Sequence, residues 1–380
     1  MPKEQTMATS GLFLSDEKEQ FQKLAKDFSQ GEIESKAEHF DIKPEFPSNL
    51  VHKAWELGLV NSMIGDDCDG LGLDILDVCV ILEELAAGCS GIAGVIESSA
   101  IAVLPLVKYA SAEQKAKFLK PLVESPFVAG YASSFLQKEK IQLVYKQEGS
   151  EYVLTGRQEG IFNGGHAAWY LVCAKDASNQ DKTLLFIVPG DSAGLQFEDK
   201  LQLMGRKALS VRDATFTNVR LSESNLINAV SKSGIESAAN LFIAAGATGV
   251  ARSAMHLAIE YSKQRQTFGR PIAQHQAVNF MLADMAKEIE TARLLIWQAA
   301  SVLDKDGDSP SVKAKSLAAR AFAQDMAMKV TTDAVQVLGG YGYTRDYKVE
   351  KLMRDAKVYQ VSTSSSSCAK AEIAKMLVNV

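Results

Sequence analysis

A run of hydroxyl side chains near the end of the chain offers hydrogen-bonding groups but no proton acceptor. It reads "YQVSTSSSSCAK", from Tyr359 to Lys370, and follows the charged, helix-like segment "VEKLMRDAK". The hydroxyl of Thr363 cannot act as a general base near neutral pH, because a hydroxyl does not ionise there. The segment contains no Asp or Glu, so general-base chemistry needs a carboxylate from elsewhere in the chain.

A second set of residues has the chemistry of an anion-binding site. Arg265 offers a charged fork and Thr267 a hydroxyl, and both suit an anionic oxygen. Gln276 stands at the predicted start of the next helix, whose first N–H groups have no partner within the helix and suit an anion. Gly339 and Gly340 permit close approach of the backbone to a ligand. The alternative is a helix-ending turn with a surface arginine.

Composition limits the classes to which the protein can belong. The 380 residues are 47% hydrophobic, which allows a large core, and they carry a net charge of −5 with both signs interspersed. This pattern favours neither nucleic acid nor a membrane as partner, and the apolar run "LFIAAGATGVA" is too short to span a bilayer. The N-terminus "MPKEQTMATSG" has no signal-like or transit-like pattern. We therefore expect a cytoplasmic protein, or a mitochondrial matrix protein if a transit segment has been removed.

The cysteines predict neither disulfides nor a metal site. They are odd in number and form no CxxC pair, at positions Cys68, Cys79, Cys89, Cys173 and Cys368. Such a pattern indicates buried free thiols in a reducing compartment.

Hydrophobic periodicity divides the chain into three blocks and predicts a mainly α protein with a β domain. Residues 1–125 read as helices: a Ser15-Asp16 cap opens one helix, Gly88 is expected to end another, and Ser111 with Gln114 forms a capping box. Residues 126–228 contain short β-branched and aromatic runs, typical of a β-barrel or sandwich. Residues 229–380 return to long helices and predict a four-helix bundle. One bundle helix places these apolar residues on a stripe: Phe280, Met281, Met285, Ile289 and Leu294.

This order of domains resembles the acyl-CoA dehydrogenase family, most closely its medium-chain branch, over nearly the whole chain. The stretches that carry the resemblance are "AWELGLVNS", "GLGLDILDVCVILEELAAGCSG", "NGGHAAWY", "QRQTFGRPIAQHQAVNFMLADMA" and "DAVQVLGGYGYTRDYKVEKLMRDAKVYQ". The last stretch contains the C-terminal motif of the family in full, at Gln336, Gly339, Gly340, Gly342, Asp346, Lys351 and Asp355. The resemblance implies an N-terminal helical domain, a central β domain and a C-terminal four-helix bundle.

The catalytic base of the family is missing from both of its known positions. Enzymes of the family remove an α-proton from an acyl thioester while a β-hydride passes to flavin N5, which needs a desolvated carboxylate near the α-carbon. The usual Glu-Gly-Thr corresponds here to Thr363, Ser364 and Ser365. A minority of the family places the Glu on the first bundle helix, followed by Arg, where this chain has Ala239 and Asn240.

Glu236 is the one nearby acid that could substitute for the missing base. It lies three residues before Ala239, nearly one turn away on the same predicted helix. The alternative is a solvated acid in a first helical turn, where the helix dipole favours negative charge. Apart from this candidate, the resemblance implies no catalytic residue.

The strands that bind the flavin in the family differ here. The loop that follows the flavin and CoA in the family, Thr-Glu-Pro-Gly-Ala-Gly-Ser-Asp, reads "SFLQKEKI": Ser134 keeps a hydroxyl, but Lys140 and Ile141 replace Ser-Asp. The flavin-flanking Trp-Ile-Thr-Asn reads "GIFN", with Gly160 and Phe162 at the Trp and Thr positions. Residues two apart on a strand share a face, so Phe162 is expected to fill volume that Gly160 leaves, in the chain's own flavin slot. The alternative is that Phe162 only rearranges beside a bound flavin.

The opposite edge of the implied cofactor site is intact. In the family, the "RxTFG" and "QxxGG" motifs reach across a dimer interface to the FAD of the neighbouring subunit. The corresponding positions are Arg265, Thr267, Phe268, Gln276, Gln336, Gly339 and Gly340. The resemblance thus implies FAD at a shared inter-subunit site, in a dimer or tetramer built through the bundles.

Three functional interpretations remain open. The chain is a non-dehydrogenating subunit that pairs with an active paralogue, an FAD-dependent acyl-CoA oxidoreductase or lyase of altered chemistry, or a structural protein without cofactor. The presence of FAD on the isolated chain separates the first two interpretations. Insensitivity to FAD and to any partner would mark the third.

Overall fold

The computed structural model describes residues 14–137, 141–227, 232–361 and 365–378. The N-terminal part is helical, with helices α1 (Asp16–Phe28), α2 (Ala37–Ile42), α3 (Ser48–Glu56), α4 (Ile75–Tyr109), α5 (Ala112–Phe118) and α6 (Lys120–Glu124). The two predicted caps are present: the hydroxyl of Ser15 accepts the N–H of Lys18, and Ser111 forms a capping box with Gln114. These caps satisfy N–H groups that the first helical turn leaves without partners.

The predicted end of a helix at Gly88 corresponds to a break in helix α4. The backbone leaves helical geometry at the next residue, Cys89, with φ −159° and ψ 112°, and a second helical segment continues to Tyr109. Gly88 also allows close packing, because a Cβ atom there would lie 2.5 Å from Oγ of Ser29. Ser29 begins a short π-helical turn, Ser29–Ile33, that packs against α4.

Among the described residues, two helices have the length and hydropathy of a membrane span. They are α4 and α7 (Lys232–Gln264), with mean hydropathies of 1.7 and 1.2 over the most apolar windows. The window in α4 is 94% buried inside the protein and that in α7 is 67% buried. Helices buried to this extent are typical of the core of a large protein.

The central part is a single eight-stranded sheet. Its strands are β1 (Ala129–Ala132), β2 (Val144–Glu148), β3 (Glu151–Phe162), β4 (Trp169–Asp176), β5 (Thr183–Pro189), β6 (Leu195–Lys200), β7 (Val211–Ser222) and β8 (Leu226–Ile227). The order is β6-β7-β3-β1-β4-β5-β8, and β2 pairs with both β3 and β4. Strand β1 runs antiparallel to β3, so that Tyr131 lies opposite Phe162, and parallel to β4. The fold class predicted from the sequence, helices around a β domain, is confirmed.

The C-terminal part is a helical bundle formed by α7, α8 (Gln276–Asp306), α9 (Pro310–Leu338), α10 (Val349–Val361) and α11 (Ser366–Val378). A short hairpin, β9 (Gln266–Thr267) and β10 (Arg270–Pro271), connects α7 to α8. The predicted stripe on α8 is only partly buried: Met285 and Ile289 are in the core, but Phe280 is 59% exposed. Helix α7 also packs along α4, which joins the two helical domains.

A buried polar network joins all three domains. Arg206, in the loop between β6 and β7, is 1% exposed and donates from Nη2 to Oε1 of Glu97 on α4, at 3.0 Å. The hydroxyl of Tyr359 on α10 donates to Oε2 of the same Glu97 at 3.0 Å. Asp355 accepts the backbone N–H of Arg206 at 2.6 Å and the ammonium of Lys351 at 2.6 Å. The family-like motif around Asp355 therefore holds the domains together.

Candidate functional site

A groove of about 450 Å³ lies at one end of the bundle, where α7 and α9 end. It is lined by Tyr261, Arg265, Thr267, Ile272, Val337, Leu338, Gly339, Gly340, Tyr341, Thr344 and Asp346. Helix α9 ends because Gly339 adopts φ +60°, a conformation that glycine reaches without strain. The structure thus brings together four of the residues predicted to bind a cofactor: Arg265, Thr267, Gly339 and Gly340.

The polar groups of this groove differ in the hydrogen bonds that they make within the chain. Arg265 is exposed, and its guanidinium makes no hydrogen bond or ion pair with any residue that the structure describes. Thr267 is held from behind by His275, whose Nε2 lies 3.1 Å from the Thr267 hydroxyl oxygen. No other atom lies within 4 Å of a Cβ placed on Gly339 or Gly340, so the floor of the groove is open. An arginine fork, a hydroxyl and an open glycine pair suit a phosphate-bearing ligand.

The other predicted members of this half-site surround the groove. Phe268 is 97% exposed and has φ +51°, an uncommon conformation for a bulky side chain. Gln276 is the first residue of α8, as predicted, and Gln336 lies exposed in the last turn of α9.

Sequence analysis missed three tyrosines at the edge of this groove. The rings of Tyr261, Tyr341 and Tyr347 lie 5.6 to 6.5 Å apart, centre to centre, with tilted or edge-on geometry. The "YGYTRDY" segment was an available signal, because it places aromatic residues directly after the glycine pair. Aromatic rings beside an arginine and glycines suit a ligand that combines phosphate with a planar base.

A second pocket, of about 530 Å³, lies between α7, α9 and α11. Its lining residues are Leu136, Gln137, Glu236, Asn240, Lys313, Leu317, Arg320, Cys368, Ala371 and Glu372. Glu236 therefore faces a pocket and is not a fully solvated acid, whereas Ala239 is 1% exposed in the apolar core. The pocket was not predicted as a unit, because its members come from four distant parts of the chain.

Arg320 is the buried cation of this second pocket. It is 3% exposed and donates from Nη1 to Oδ1 of Asn240 at 2.7 Å. Burial lowers the pKa of the Arg320 guanidinium to about 10, so it remains charged at neutral pH. The pocket can therefore hold a negative charge near Asn240.

Cys368 corrects the prediction that every cysteine is buried. Cys68, Cys79, Cys89 and Cys173 are buried free thiols, but Cys368 is exposed in the first turn of α11. Ser365, just before this helix, donates its hydroxyl to Sγ of Cys368 at 3.4 Å. Its exposure follows from the position of α11 at the rim of the second pocket.

Two residues that the resemblance places beside the flavin make contacts within the chain itself. Ser134 is fully buried, and its hydroxyl donates to Oε1 of Gln158 at 2.9 Å. Phe162 is 8% exposed and stacks face to face on Tyr131, with 4.7 Å between ring centres and 7° between planes. Neither side chain presents a hydroxyl or an N–H group to a cofactor.

The expected exchange of volume between Gly160 and Phe162 is wrong. A Cβ on Gly160 would lie 3.1 Å from Oγ of Ser133, and no atom of Phe162 lies within 4 Å of that point. Gly160 has φ +65° and sits at an irregularity in the pairing of β3 with β7, where its N–H donates to Oδ1 of Asp213 at 2.9 Å. The positive φ of Gly160 allows a β-bulge at this irregularity. Ser133 occupies the space beside the glycine.

Several predicted positions lie outside the described residues, namely Lys140, Thr363 and Ser364. Their predicted roles stay predictions. Ile141, which replaces an Asp of the family, is 7% exposed and packs in the core. Among the described residues, no cluster of three or more His, Cys, Asp or Glu could hold a metal ion.

Comparison with known proteins agrees with this architecture. Three family models match: the acyl-CoA dehydrogenase N-terminal domain at residues 15–125, the middle domain at residues 132–219 and the C-terminal domain at residues 238–377. The chain belongs to the acyl-CoA dehydrogenase family.

The similar proteins have more than one chemistry. The chain is 32% identical to a probable medium-chain specific acyl-CoA dehydrogenase 2, mitochondrial, of Caenorhabditis briggsae, over 96% of this chain and 91% of the relative. It is also 32% identical to a 3-(aryl)acrylate reductase of Clostridium sporogenes, over 97% of this chain and 100% of the relative. The structure of butyryl-CoA dehydrogenase from Megasphaera elsdenii superposes with a TM-score of 0.91 at 29% identity, covering 96% of this chain and 99% of that one.

Proteins of this family bind FAD, and this chain fits the cofactor on one side only. The groove at Arg265 and Gly339 offers exposed, unobstructed groups for phosphates. On the side where the ring would lie, Ser134 is committed to Gln158 and Phe162 to Tyr131. Neither of these two side chains is therefore free to donate a hydrogen bond to a flavin ring.

Proposed function

We propose that this chain is a subunit without dehydrogenase activity of its own that completes the FAD site of an active paralogue in a heteromer. The observation that carries the proposal is the contrast between two half-sites. The groove at Arg265 and Gly339 is open to solvent, whereas Ser134 and Phe162 on the ring side are buried against neighbours of their own chain.

In such a heteromer the chain contributes phosphate-binding groups and no catalytic base. Arg265 would hold a phosphate oxygen of FAD on the neighbouring subunit, supported by the hydroxyl of Thr267. The exposed ring of Phe268 would be covered by that subunit. The cofactor supplies hydride transfer when bound, and the neighbour supplies the carboxylate.

Native mass spectrometry of the endogenous complex tests the partnership. We expect a second acyl-CoA dehydrogenase-like chain and FAD at half of the sites. A homo-oligomer with no second chain would overturn the proposal.

Substitution tests the role of the groove. Arg265→Ala is expected to weaken FAD binding in the heteromer by about 1.5–3 kcal/mol, the range for a hydrogen bond to a charged group. Lys263→Ala is the matched control, because Lys263 is also a cation at the end of α7 but pairs with Glu260 at 2.7 Å and does not line the groove. Equal FAD affinity in both variants would exclude Arg265 from the site.

A second candidate function is an FAD-dependent acyl-CoA oxidoreductase of altered chemistry. It is favoured by the similarity to a protein named 3-(aryl)acrylate reductase and by the pocket that joins Glu236, Asn240 and Arg320. The visible absorbance spectrum of the freshly purified chain separates the two functions. One FAD per subunit on the isolated chain supports the second candidate, and a colourless chain supports the first.

A further inference from the structure

Three basic side chains meet at one edge of the β domain. Lys200 ends β6, Arg212 lies at the start of β7, and His166 lies in the turn between β3 and β4. None of the three makes an ion pair with a carboxylate in the described parts of the chain. Arg212 instead donates to Oγ of Ser210 at 3.4 Å and to the carbonyl oxygen of Glu198 at 3.3 Å. The cluster therefore carries positive charge without a counter-charge.

Lys200 also bonds only to neutral acceptors. Its ammonium donates to the carbonyl oxygens of Pro44 and Lys207, at 2.8 and 2.7 Å. The ring of His166 stacks in parallel on Phe46, with 4.1 Å between centres, and makes no hydrogen bond through its ring nitrogens within the described residues. A half-buried ammonium that faces only carbonyl groups retains most of the cost of its desolvation.

Other arginines of the same sheet are paired with acids. Arg157 lies 2.7 Å from Glu198 and 2.5 Å from Asp213. Arg220 lies 3.0 Å from Glu148 and 2.9 Å from Glu151. Lys200, Arg212 and His166 thus differ from these two arginines of the same sheet, which pair with carboxylates.

The ionisation of Lys200 and His166 reflects their burial and the neighbouring positive charge. Burial and the charge of Arg212 lower the pKa of Lys200 to about 8. Burial, Arg212 and Lys200 together lower the pKa of His166. Like charges placed this close repel one another, and an anion between them would remove the repulsion.

The cluster is accessible and backed by a glycine turn. His166 is exposed, while Lys200 and Arg212 are half-buried. The guanidinium of Arg212 runs along the turn, since a Cβ on Gly165 would lie 3.4 Å from its Nε and 3.5 Å from its Cζ. Gly165 therefore leaves room beside the arginine fork.

We propose that Lys200, Arg212 and His166 form a binding site for a small oxyanion, either a phosphate group or a carboxylate. Arg212 supplies a planar fork for two oxygens, and Lys200 supplies a point charge. The site lies on the β domain and does not depend on the function proposed above.

Phosphate binding by the full chain tests this site. Isothermal titration calorimetry with inorganic phosphate, at ionic strength fixed with chloride, is expected to show one site per chain. Lys200→Met and Arg212→Met are each expected to raise the Kd for phosphate about tenfold or more, because each removes a charge-assisted hydrogen bond. Arg220→Met is the matched control, since it removes a cation of the same sheet that already has two carboxylate partners. The Kd of the Arg220→Met variant for phosphate should equal that of the wild type.

A parallel titration with acetate identifies the source of the oxyanion. Binding of phosphate alone indicates a phosphate ligand, and equal binding of acetate indicates a carboxylate ligand. Thermal unfolding with and without phosphate gives a second readout. Phosphate should raise the Tm of the wild type and of Arg220→Met, but not that of Lys200→Met or Arg212→Met. No phosphate or acetate binding by the wild type, or equal binding by Lys200→Met and Arg212→Met, would overturn the proposal.

Discussion

Tyr131 and Phe162 stack face to face across the pairing of β1 with β3, with 4.7 Å between ring centres. The resemblance assigns Phe162 to the position of a threonine beside flavin N5. The stacked pair is buried apolar surface and presents no hydroxyl from Phe162. Phe162 is therefore a packing residue in this chain.

Shortening Phe162 should open a cavity. Phe162→Thr is expected to lower the free energy of unfolding by about 2–4 kcal/mol, in the range of large-to-small core substitutions. Phe127→Thr is the control, because Phe127 is 50% exposed and should change stability by less than about 1 kcal/mol. Urea unfolding followed by fluorescence measures both, and equal values would show that Phe162 is not a core residue.

Ordinary dehydrogenation should be absent. The positions that the resemblance assigns to the base hold Thr363 and the buried Ala239, and general-base catalysis alone contributes a factor of about 10²–10⁴. We expect no turnover near the usual range of roughly 1–10³ per second with saturated acyl-CoA substrates and an artificial acceptor. Turnover in that range would contradict the prediction. If weak activity is found, Glu236→Gln should abolish it, since Glu236 lines the pocket beside Arg320.

Breaking the ion pair of Asp355 should destabilise the whole chain. Asp355 is fully buried and holds both Lys351 and the backbone of Arg206. Asp355→Asn leaves the Lys351 ammonium buried without its carboxylate, which typically costs about 3–5 kcal/mol. Asp284→Asn breaks an exposed pair with Lys287 and should cost no more than about 1 kcal/mol. Thermal unfolding checks both variants, and a neutral Asp355→Asn would contradict the structural role of the C-terminal motif.

Stability should rise in alkaline solution because of Lys200. Its folded pKa of about 8 lies below the unfolded value of about 10.4, so the unfolded chain binds more protons between these two values. The contribution of Lys200 to the free energy of unfolding is therefore lowest below pH 8 and increases from about pH 8 to 10.4. The charged groups around it are Arg212 and Lys207, with Asp41 3.4 Å from Lys207, and His166 is the neighbouring titratable group, with a pKa lowered below its usual value.

Substitution isolates this effect. Lys200→Met should remove the alkaline rise and raise stability at neutral pH, because it removes the repelled charge. Lys146→Met, at an exposed lysine paired with Glu148, should keep the rise. Chemical unfolding at a series of pH values measures both, and a rise that persists unchanged in Lys200→Met would assign it to another group.

The sequence by itself determined the features that depend on neighbouring residues. The caps at Ser15 and Ser111, the end of α9 at Gly339 and the order of helical and β blocks follow from local hydrogen bonding and periodicity. The family resemblance rests on the same kind of information, because its motifs are short and continuous. The absence of a carboxylate at Thr363 is likewise a fact of the sequence.

Only the tertiary structure decided what the long-range contacts do. Glu97 meets Arg206 across 109 residues and Tyr359 across 262, and Arg320 meets Asn240 across 80. Local patterns contain no trace of these pairs, since a buried charge finds its partner only when distant segments pack together and exclude water. For the same reason the sequence indicated the helix break after Gly88 but not the close contact that this glycine makes with Ser29.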